Sequence, residues 1–292
     1  MESLLNHIRN EDVATYLPQV PDCSVNTIVL DPPYYRVVDE AWDKQWKTFE
    51  DYLAWMDGIA EQMSRVAKHS ASLWLFGMAY QLGALVPIFE KYGFTYRQHI
   101  VLFKGLKSVA GRTSSKLKMF PTATEYVVYF HKESRPILKK YLQDKMAESK
   151  KTPLEINTAL GKATNGGGKW STLAGIRQQN IQYPTREDWD ALTPLLGLEW
   201  KYEDYVFKFH LPTGLTDVWS DINFQEKGRI HPTQKPSELI KRILTCSTDK
   251  TDTVLDPFMG SGQTARVAKS LGMNYMGCEL DAKYWAQLTD LA

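Results

Sequence analysis

The sequence predicts an α/β fold built on a mostly parallel sheet, with an inserted segment in its middle. Three observations carry this expectation. Short β-branched runs alternate with a helical stretch up to residue 103, the same alternation returns after residue 217, and the stretch between them loses it. With 292 residues, 43% apolar and 24% charged, the chain is long enough to bury a substantial core and too apolar for general disorder.

The elements follow in order. VNTIVL (25–30) is a β-branched strand ending abruptly in Asp31-Pro32-Pro33-Tyr34, and SLWLFG (72–77) is a second strand. Between them Tyr52, Trp55, Met56, Ile59 and Met63 recur at helical spacing within 49–68. QHIVLF (98–103) and EYVVYF (125–130) read as an antiparallel pair at one edge, flanking a Lys/Gly/Ser-rich loop at 104–118. Residues 131–216, with KATNGGGKWST, several prolines and three of the tryptophans, read as an inserted, partly irregular module. The last piece holds a helix at 237–246, the strand TVLD (253–256), a Gly-rich loop, a helix at 263–271 and the strand NYMGCE (274–279). The expected division is therefore 1–130, 131–216 and 217–292.

The net charge of +1 hides an uneven distribution. Residues 97–186 hold 17 Lys+Arg against 5 Asp+Glu, and the rest of the chain 18 against 29. A basic segment inside an acidic protein is the footprint expected for a polyanion partner, nucleic acid above all. No apolar run reaches the roughly 18–20 residues of a membrane span, and the polar start lacks the pattern of a secretion signal, so a soluble, intracellular protein is expected. Cys23, Cys246 and Cys278 form no CxxC pair, and the six histidines show no HxxxH spacing, so neither a disulfide framework nor a metal site is expected.

Two loops carry chemistry. The first, Asp256 to Gly262, lies between a strand and a helix, where glycines permit a tight turn and close approach of a ligand to backbone N–H groups. A phosphate-binding P-loop would need Gly at 257 and Lys at 263, where Pro257 and Gln263 stand. A dinucleotide site stays open, because Gly260, Gly262 and Ala265 satisfy GxGxxA and Glu279 follows at the end of the next strand. So does S-adenosylmethionine, with Asp256 at the strand end, Phe258, the glycines, and Glu279 for the ribose hydroxyls. A sulfonium cofactor carries no phosphate for these carboxylates to repel. The second loop, Asp31-Pro32-Pro33-Tyr34, is stiffened by two prolines that also remove two N–H donors. The Pro32 carbonyl and the Asp31 carboxylate then form a pair of acceptors suited to an exocyclic amine, and Tyr34 offers a face on which an extruded base can stack.

Together the loops resemble the DNA amino-methyltransferases, which use S-adenosylmethionine to methylate adenine N6 or cytosine N4. Asp31-Pro32-Pro33-Tyr34 resembles their catalytic motif and Asp256-Pro257-Phe258-Met259-Gly260-Ser261-Gly262 their cofactor motif. His231 to Pro236 (HPTQKP) and Asp12 agree, although Glu11 stands where the family usually has Gly. The resemblance covers residues 6–103 and 217–285 well and the basic middle weakly. The order of catalytic strand, variable region and cofactor loop is similar to the β group of these enzymes. It implies a Rossmann-like S-adenosylmethionine-dependent methyltransferase fold, a mixed seven-stranded sheet with helices on both faces. The chain would be circularly permuted, its last helix ending near the first strand at Asn10, with residues 131–216 as the target-recognition region and the loop 104–118 as a second candidate for DNA contact.

The resemblance also implies roles. Asp31, Pro32, Pro33 and Tyr34 would be catalytic. Asp12, Asp31, Lys235, Asp256, Phe258, Gly260, Ser261, Gly262, Thr264 and Glu279 would hold the cofactor, Asp12 at its adenine and Lys235 at its carboxylate. Lys116, Lys118, Lys139, Lys140 and Arg177 would meet DNA phosphates, and His231 would order the loop beside the cofactor. The Trp42 to Trp46 cluster is expected to pack against the helix that follows it. The partners implied are double-stranded DNA, a homodimer and a cognate restriction endonuclease, in a bacterial or phage-infected cytoplasm. Methylation at cytosine C5 is disfavoured, because none of the cysteines follows proline. Asp rather than Ser at the first position of the catalytic motif resembles the adenine-N6 enzymes, with cytosine N4 as the alternative. An RNA substrate, an inactive DNA-binding module and an NAD-dependent oxidoreductase remain open at this point.

Overall fold

A computed structural model describes residues 4–36, 45–105, 118, 120–161, 168–175, 181–226, 234–288 and 291. The chain forms two compact units, Met1–Lys132 with Lys208–Ala292, and Glu133–Phe207.

The larger unit is built on one mixed sheet. Its strands are β1 (His7–Arg9), β2 (Val25–Leu30), β3 (Ala67–Gly77), β4 (Phe94–Phe103), β5 (Thr124–Lys132), β6 (Val218–Trp219), β7 (Thr253–Asp256) and β8 (Asn274–Cys278), in the spatial order β1-β8-β7-β2-β3-β5-β4-β6. The pairings from β1 through to β3 are all parallel, β3–β5 and β5–β4 are antiparallel, and β6 lies parallel to β4. The described sheet thus has eight strands where seven were expected, its outermost members being only three and two residues long. Segments that short have too few residues to show an alternating pattern.

All six residues of β2 are buried, as expected of a central parallel strand covered on both faces. The two faces separate with period two. Ile28, Leu30, Leu73 and Leu75 join a core with Tyr52, Met56, Met63 and Phe89, whereas Val29, Trp74 and Phe76 join a core with Leu239, Ile243 and Ala265. The first core is closed by helices Phe49–Val66 and Ala79–Lys91, the second by Ser237–Ser247 and Gln263–Ser270. Thr48 starts Phe49–Val66 with a reciprocal capping box to Asp51. The permutation is closed by β1 beside β8: Glu279 N–H donates to the Arg9 carbonyl at 2.9 Å, and the Asn10 amide donates to the Glu279 carbonyl at 2.8 Å.

The smaller unit is helical between its irregular stretches. It contains helices Arg135–Ser149, Pro153–Ala159, Gly168–Ala174, Arg186–Leu196 and Tyr202–Tyr205. The prolines that look like breakers in the sequence include Pro136 and Pro153, which stand in the first turn of their helices, where a missing N–H costs nothing. Thr152 with Glu155 and Thr185 with Asp188 form capping boxes. Leu138, Leu142, Ile156, Trp170, Trp189 and Leu192 make its core, and Trp200 stacks on Tyr141 at 3.7 Å and on Tyr205 at 4.0 Å.

Candidate active site

The register of the sheet brings the two sequence loops together. Ile28 of β2 is paired with Leu255 of β7, so both strands end side by side, β2 running into Asp31 and β7 into the Gly-rich loop. From this pair the chain crosses over to β3 on one side and to β8 on the other, which makes it a topological switch point, where open α/β sheets bind ligands.

Four side chains converge beyond the end of β2. The Tyr34 hydroxyl lies 2.8 Å from Asp31 Oδ1 and 3.0 Å from Glu125 Oε1. The Lys235 ammonium lies 3.1 Å from Asp31 Oδ2, 2.6 Å from Glu125 Oε1 and 3.3 Å from the Tyr34 oxygen. It also stands over the rings of Phe76 and Tyr34, at 4.9 and 5.5 Å. Burial pushes the Asp31 carboxyl up, opposed by the Lys235 charge and reinforced by Glu125. The Asp31 side chain keeps 22% of its surface, an opening through which a donor can reach it. Burial alone would raise the Glu125 carboxyl too, yet Lys235 and Lys104 outweigh it and bring it down to about 2. Lys235 is held above its ordinary range because its two carboxylates more than offset the desolvation of its own charge.

A second cluster surrounds the Gly-rich loop. Gly260 and Gly262 have φ of +54° and +76°, a region that L side chains rarely adopt. A Cβ at Gly260 would meet nothing nearer than the Phe258 carbonyl at 3.9 Å, so the loop backbone is open to a ligand there. Gly260 N–H donates to Glu279 Oε2 at 2.7 Å and Asp281 N–H to Oε1 at 2.8 Å, which fixes the carboxylate while leaving each oxygen a lone pair. Asp256 Oδ1 accepts Phe258 N–H at 3.0 Å and its carboxyl also bonds Thr264, but burial still pushes it up to about 7. Asp256, Glu279, Asp12 and Glu11 all act on the buried Cys278 thiol, which burial foremost and then these charges hold far above its usual range. Even with Asp256 half protonated near pH 7, Glu279, Asp12 and Glu11 leave the surroundings of the loop acidic, an environment that repels a pyrophosphate and favours a cationic ligand. Phe258 packs against Trp55 at 5.7 Å; Ser261 and Thr264 are buried.

The structure gathers most of the residues singled out in the sequence into these two clusters. Pro32 is buried and Pro33 half-buried in the turn that follows β2. Asp12 caps the helix Val13–Tyr16, accepting Ala14 N–H at 2.8 Å, and is exposed beside the carboxylate ring. Lys235, expected at a cofactor carboxylate, has its ammonium between Asp31 and Glu125. Trp46 packs on Tyr52 and Trp55 of the following helix, as expected. Lys118 and Lys140 are exposed and Lys139 half-buried; Lys140 pairs with Asp144 at 2.8 Å. Lys116, Arg177 and His231 lie outside the described residues, as do Trp42, Asp43 and Lys44. Glu125 and Lys104 were missed. The signal was there in Glu125, a carboxylate among the apolar residues of a strand, where a charge requires a partner.

The profile of a family described as DNA methylase, of the N6/N4 type, matches residues 25–290. The Type II methyltransferase M.BglII of Bacillus subtilis is 30% identical over 294 residues, covering 96% of this chain and 67% of that protein. This chain belongs to the N6/N4 DNA methylase family. Type II methyltransferase M1.MboII of Moraxella bovis is 26% identical to the methylase, over 96% of this chain and 94% of its own length. Among solved structures, the M1.HpyAVI–SAM complex shares the fold of the methylase with a TM-score of 0.57 at 18% identity, covering 98% of this chain and 99% of that one. The cytosine-N4-specific PvuII DNA methyltransferase has a TM-score of 0.55 at 16% identity, over 96% of the methylase and 83% of its own chain.

Proposed function

We propose that this methylase transfers a methyl group from S-adenosylmethionine to the exocyclic N6 of an adenine flipped out of duplex DNA, by direct in-line attack. The observation that carries the reading is the adjacency of β2 and β7, which sets the Asp31 acceptor and the carboxylate-ringed Gly loop side by side. When bound, S-adenosylmethionine supplies an electrophilic methyl group on a cationic sulfur. Glu279 takes the ribose hydroxyls with its remaining lone pairs, and the open backbone at Gly260 lets the cofactor approach. Asp256 and Phe258 complete this side of the site, with Asp12, Ser261, Gly262 and Thr264 around it. The carboxylate ring supports S-adenosylmethionine over a nicotinamide dinucleotide, since only the latter brings phosphates.

On the other side Asp31 and the Pro32 carbonyl accept the two amine N–H bonds. Their pull favours localising the nitrogen lone pair that conjugation otherwise spreads into the ring. Tyr34 stacks on the extruded base, a contact worth about 1–3 kcal/mol against the few kcal/mol that unstacking costs. The unit Glu133–Phe207 acts as the target-recognition region. Within it Lys140, Lys145, Lys151, Lys169, Arg135 and Arg186 are paired with acidic neighbours, so the basic charge of its described residues is largely offset. Lys139 and, in the larger unit, the exposed Lys118 are the described candidates for phosphate contacts.

The test is to incubate the protein with unmethylated genomic DNA and S-adenosylmethionine, digest to nucleosides and measure methylated bases by mass spectrometry, with Asp31→Ala as control. N6-methyladenine absent from the control is the expected result. Cytosine N4 is the second reading, favoured by the likeness to the PvuII enzyme, and N4-methylcytosine would replace the first reading with it. No methylated base on DNA would overturn both.

A further inference from the structure

Glu125 stands on β5, away from both sequence loops, yet one of its oxygens serves two groups of the Asp31 cluster. Oε1 faces the Lys235 ammonium at 2.6 Å and the Tyr34 hydroxyl at 3.0 Å, while Oε2 faces the Lys104 ammonium at 3.4 Å. The same Lys235 and Tyr34 divide Asp31 between them, Lys235 on Oδ2 at 3.1 Å and Tyr34 on Oδ1 at 2.8 Å. Tyr34 therefore has two carboxylate acceptors within reach and a single proton to donate.

This arrangement poses a problem for an incoming amine. Each Asp31 oxygen already accepts one donor, the Lys235 ammonium at Oδ2 and the Tyr34 hydroxyl at Oδ1, so a target N–H competes best at Oδ1, where the donor in place is neutral and the weaker of the two. A phenol displaced into this interior with no acceptor would lose most of what the new hydrogen bond gains. Glu125 Oε1 is already in position to receive it, and Glu125 is only 6% exposed, so little water competes for that oxygen.

We propose that Glu125 is a positioning residue of the methyl-transfer site: it anchors Lys235 against Asp31 Oδ2, and it accepts the Tyr34 hydroxyl when a target amine takes Asp31 Oδ1. The proposal rests on the reading of Asp31 as the amine acceptor. Lys235 and Lys104 keep Glu125 ionised despite its burial, so it remains an acceptor throughout the working pH range. Turnover then depends on Glu125 although no atom of it touches the substrate.

The experiment is steady-state methylation of DNA by the full chain carrying Glu125→Met, Glu125→Gln, Tyr34→Phe, and Glu125→Met with Tyr34→Phe, alongside the Kd for S-adenosylmethionine. Glu125→Met, which removes both oxygens at nearly constant length, is expected to lower kcat about 10- to 100-fold. KM for DNA and the cofactor Kd should stay within about twofold of the parent. Glu125→Gln keeps one acceptor oxygen and should recover part of the loss. In the Tyr34→Phe background no hydroxyl needs an acceptor, so Glu125→Met should cost less there than in the parent.

Parental kcat in Glu125→Met, an equal loss in both backgrounds, or a loss confined to KM or to cofactor binding would overturn the proposal. If Glu125→Met does not fold, parental kcat in Glu125→Gln does the same. A parent protein that methylates no DNA amine, or an Asp31→Ala variant that remains active, would remove the underlying reading. An active, Asp31-dependent parent with an indifferent Glu125 would remove this inference alone.

Discussion

Gly260 donates its backbone N–H to Oε2 of Glu279 at 2.7 Å, which ties the loop after β7 to the end of β8. The bond fixes the carboxylate where we propose the ribose binds, and the positive φ of Gly260 turns the loop so that its N–H can point there. Glu279→Ala removes both the anchor of the loop and the acceptor for the ribose hydroxyls. The cofactor Kd, read by isothermal titration calorimetry, is expected to weaken about 10- to 100-fold. With saturating cofactor, kcat should fall far less than in Asp31→Ala. An unchanged Kd would remove Glu279 from the cofactor site.

Lys235 lowers the Asp31 carboxyl while burial, the larger influence, raises it. Accepting an amine N–H requires Asp31 ionised, so the acid limb of the kcat profile follows its titration. Lys235→Met removes the lowering influence, and that limb is expected to move to higher pH. Turnover should fall by more in mildly acidic than in mildly alkaline buffer. The substitution also leaves the buried Asp31 carboxylate without its cation and Glu125 with Lys104 alone, at a cost to stability of about 3–5 kcal/mol in urea denaturation. A uniform drop in kcat across pH would mean that Lys235 does not act through the Asp31 charge.

Much of this was legible in the sequence. The strands at 25–30 and 253–256 and the two loops that follow them were recovered because a buried parallel strand is a continuous apolar run and a Pro- or Gly-rich turn interrupts it sharply. The five helices of residues 133–207 were not, because most of them are short and the prolines scattered through the stretch, Pro136 and Pro153 among them, hide that they stand in first turns. Lys235 was recovered as a residue of the site but expected at the cofactor, and Glu125 was missed altogether. Both belong to a cluster drawn from β2, β5 and the segment before the helix Ser237–Ser247, a convergence that only the pairing of β3 with β5 creates. Local pattern predicts elements; it does not say which strands become neighbours.

Asp256 makes stability depend on pH in a direction opposite to most carboxylates. Burial, the largest cause, raises its pKa from 3.8 to about 7 in the folded chain. The folded state therefore holds a proton that the unfolded state has lost, and stability falls as pH rises from about 4 to about 7. Asp256→Asn, neutral at every pH, should match the parent near the bottom of this window. Above it the variant should be more stable by something of order 2–4 kcal/mol in urea denaturation. Parallel stability curves for the two proteins would place the Asp256 pKa near its ordinary value.

Two glycines provide a contrast that separates close packing from mere flexibility. Gly277 is paired with Asp256 across β8 and β7, and a Cβ there would overlap the Asp256 carbonyl and come within 2.6 Å of Met259 Cε. The carbonyl is backbone and cannot rotate away, so the two strands would have to part where the Gly-rich loop begins. Gly277→Ala is expected to cost about 3 kcal/mol or more. It should also weaken the cofactor Kd, because the loop from Asp256 to Gly262 is carried on β7. Gly58 lies within the helix Phe49–Val66, is exposed, and a Cβ there would meet nothing within 4 Å. Gly58→Ala should therefore raise stability by about 0.5–1 kcal/mol through helix propensity and leave the cofactor Kd unchanged. Thermal denaturation of the two variants, with the Kd measured on each, checks both signs; a Gly277→Ala protein with parental Tm and Kd would mean that β7 and β8 do not approach so closely.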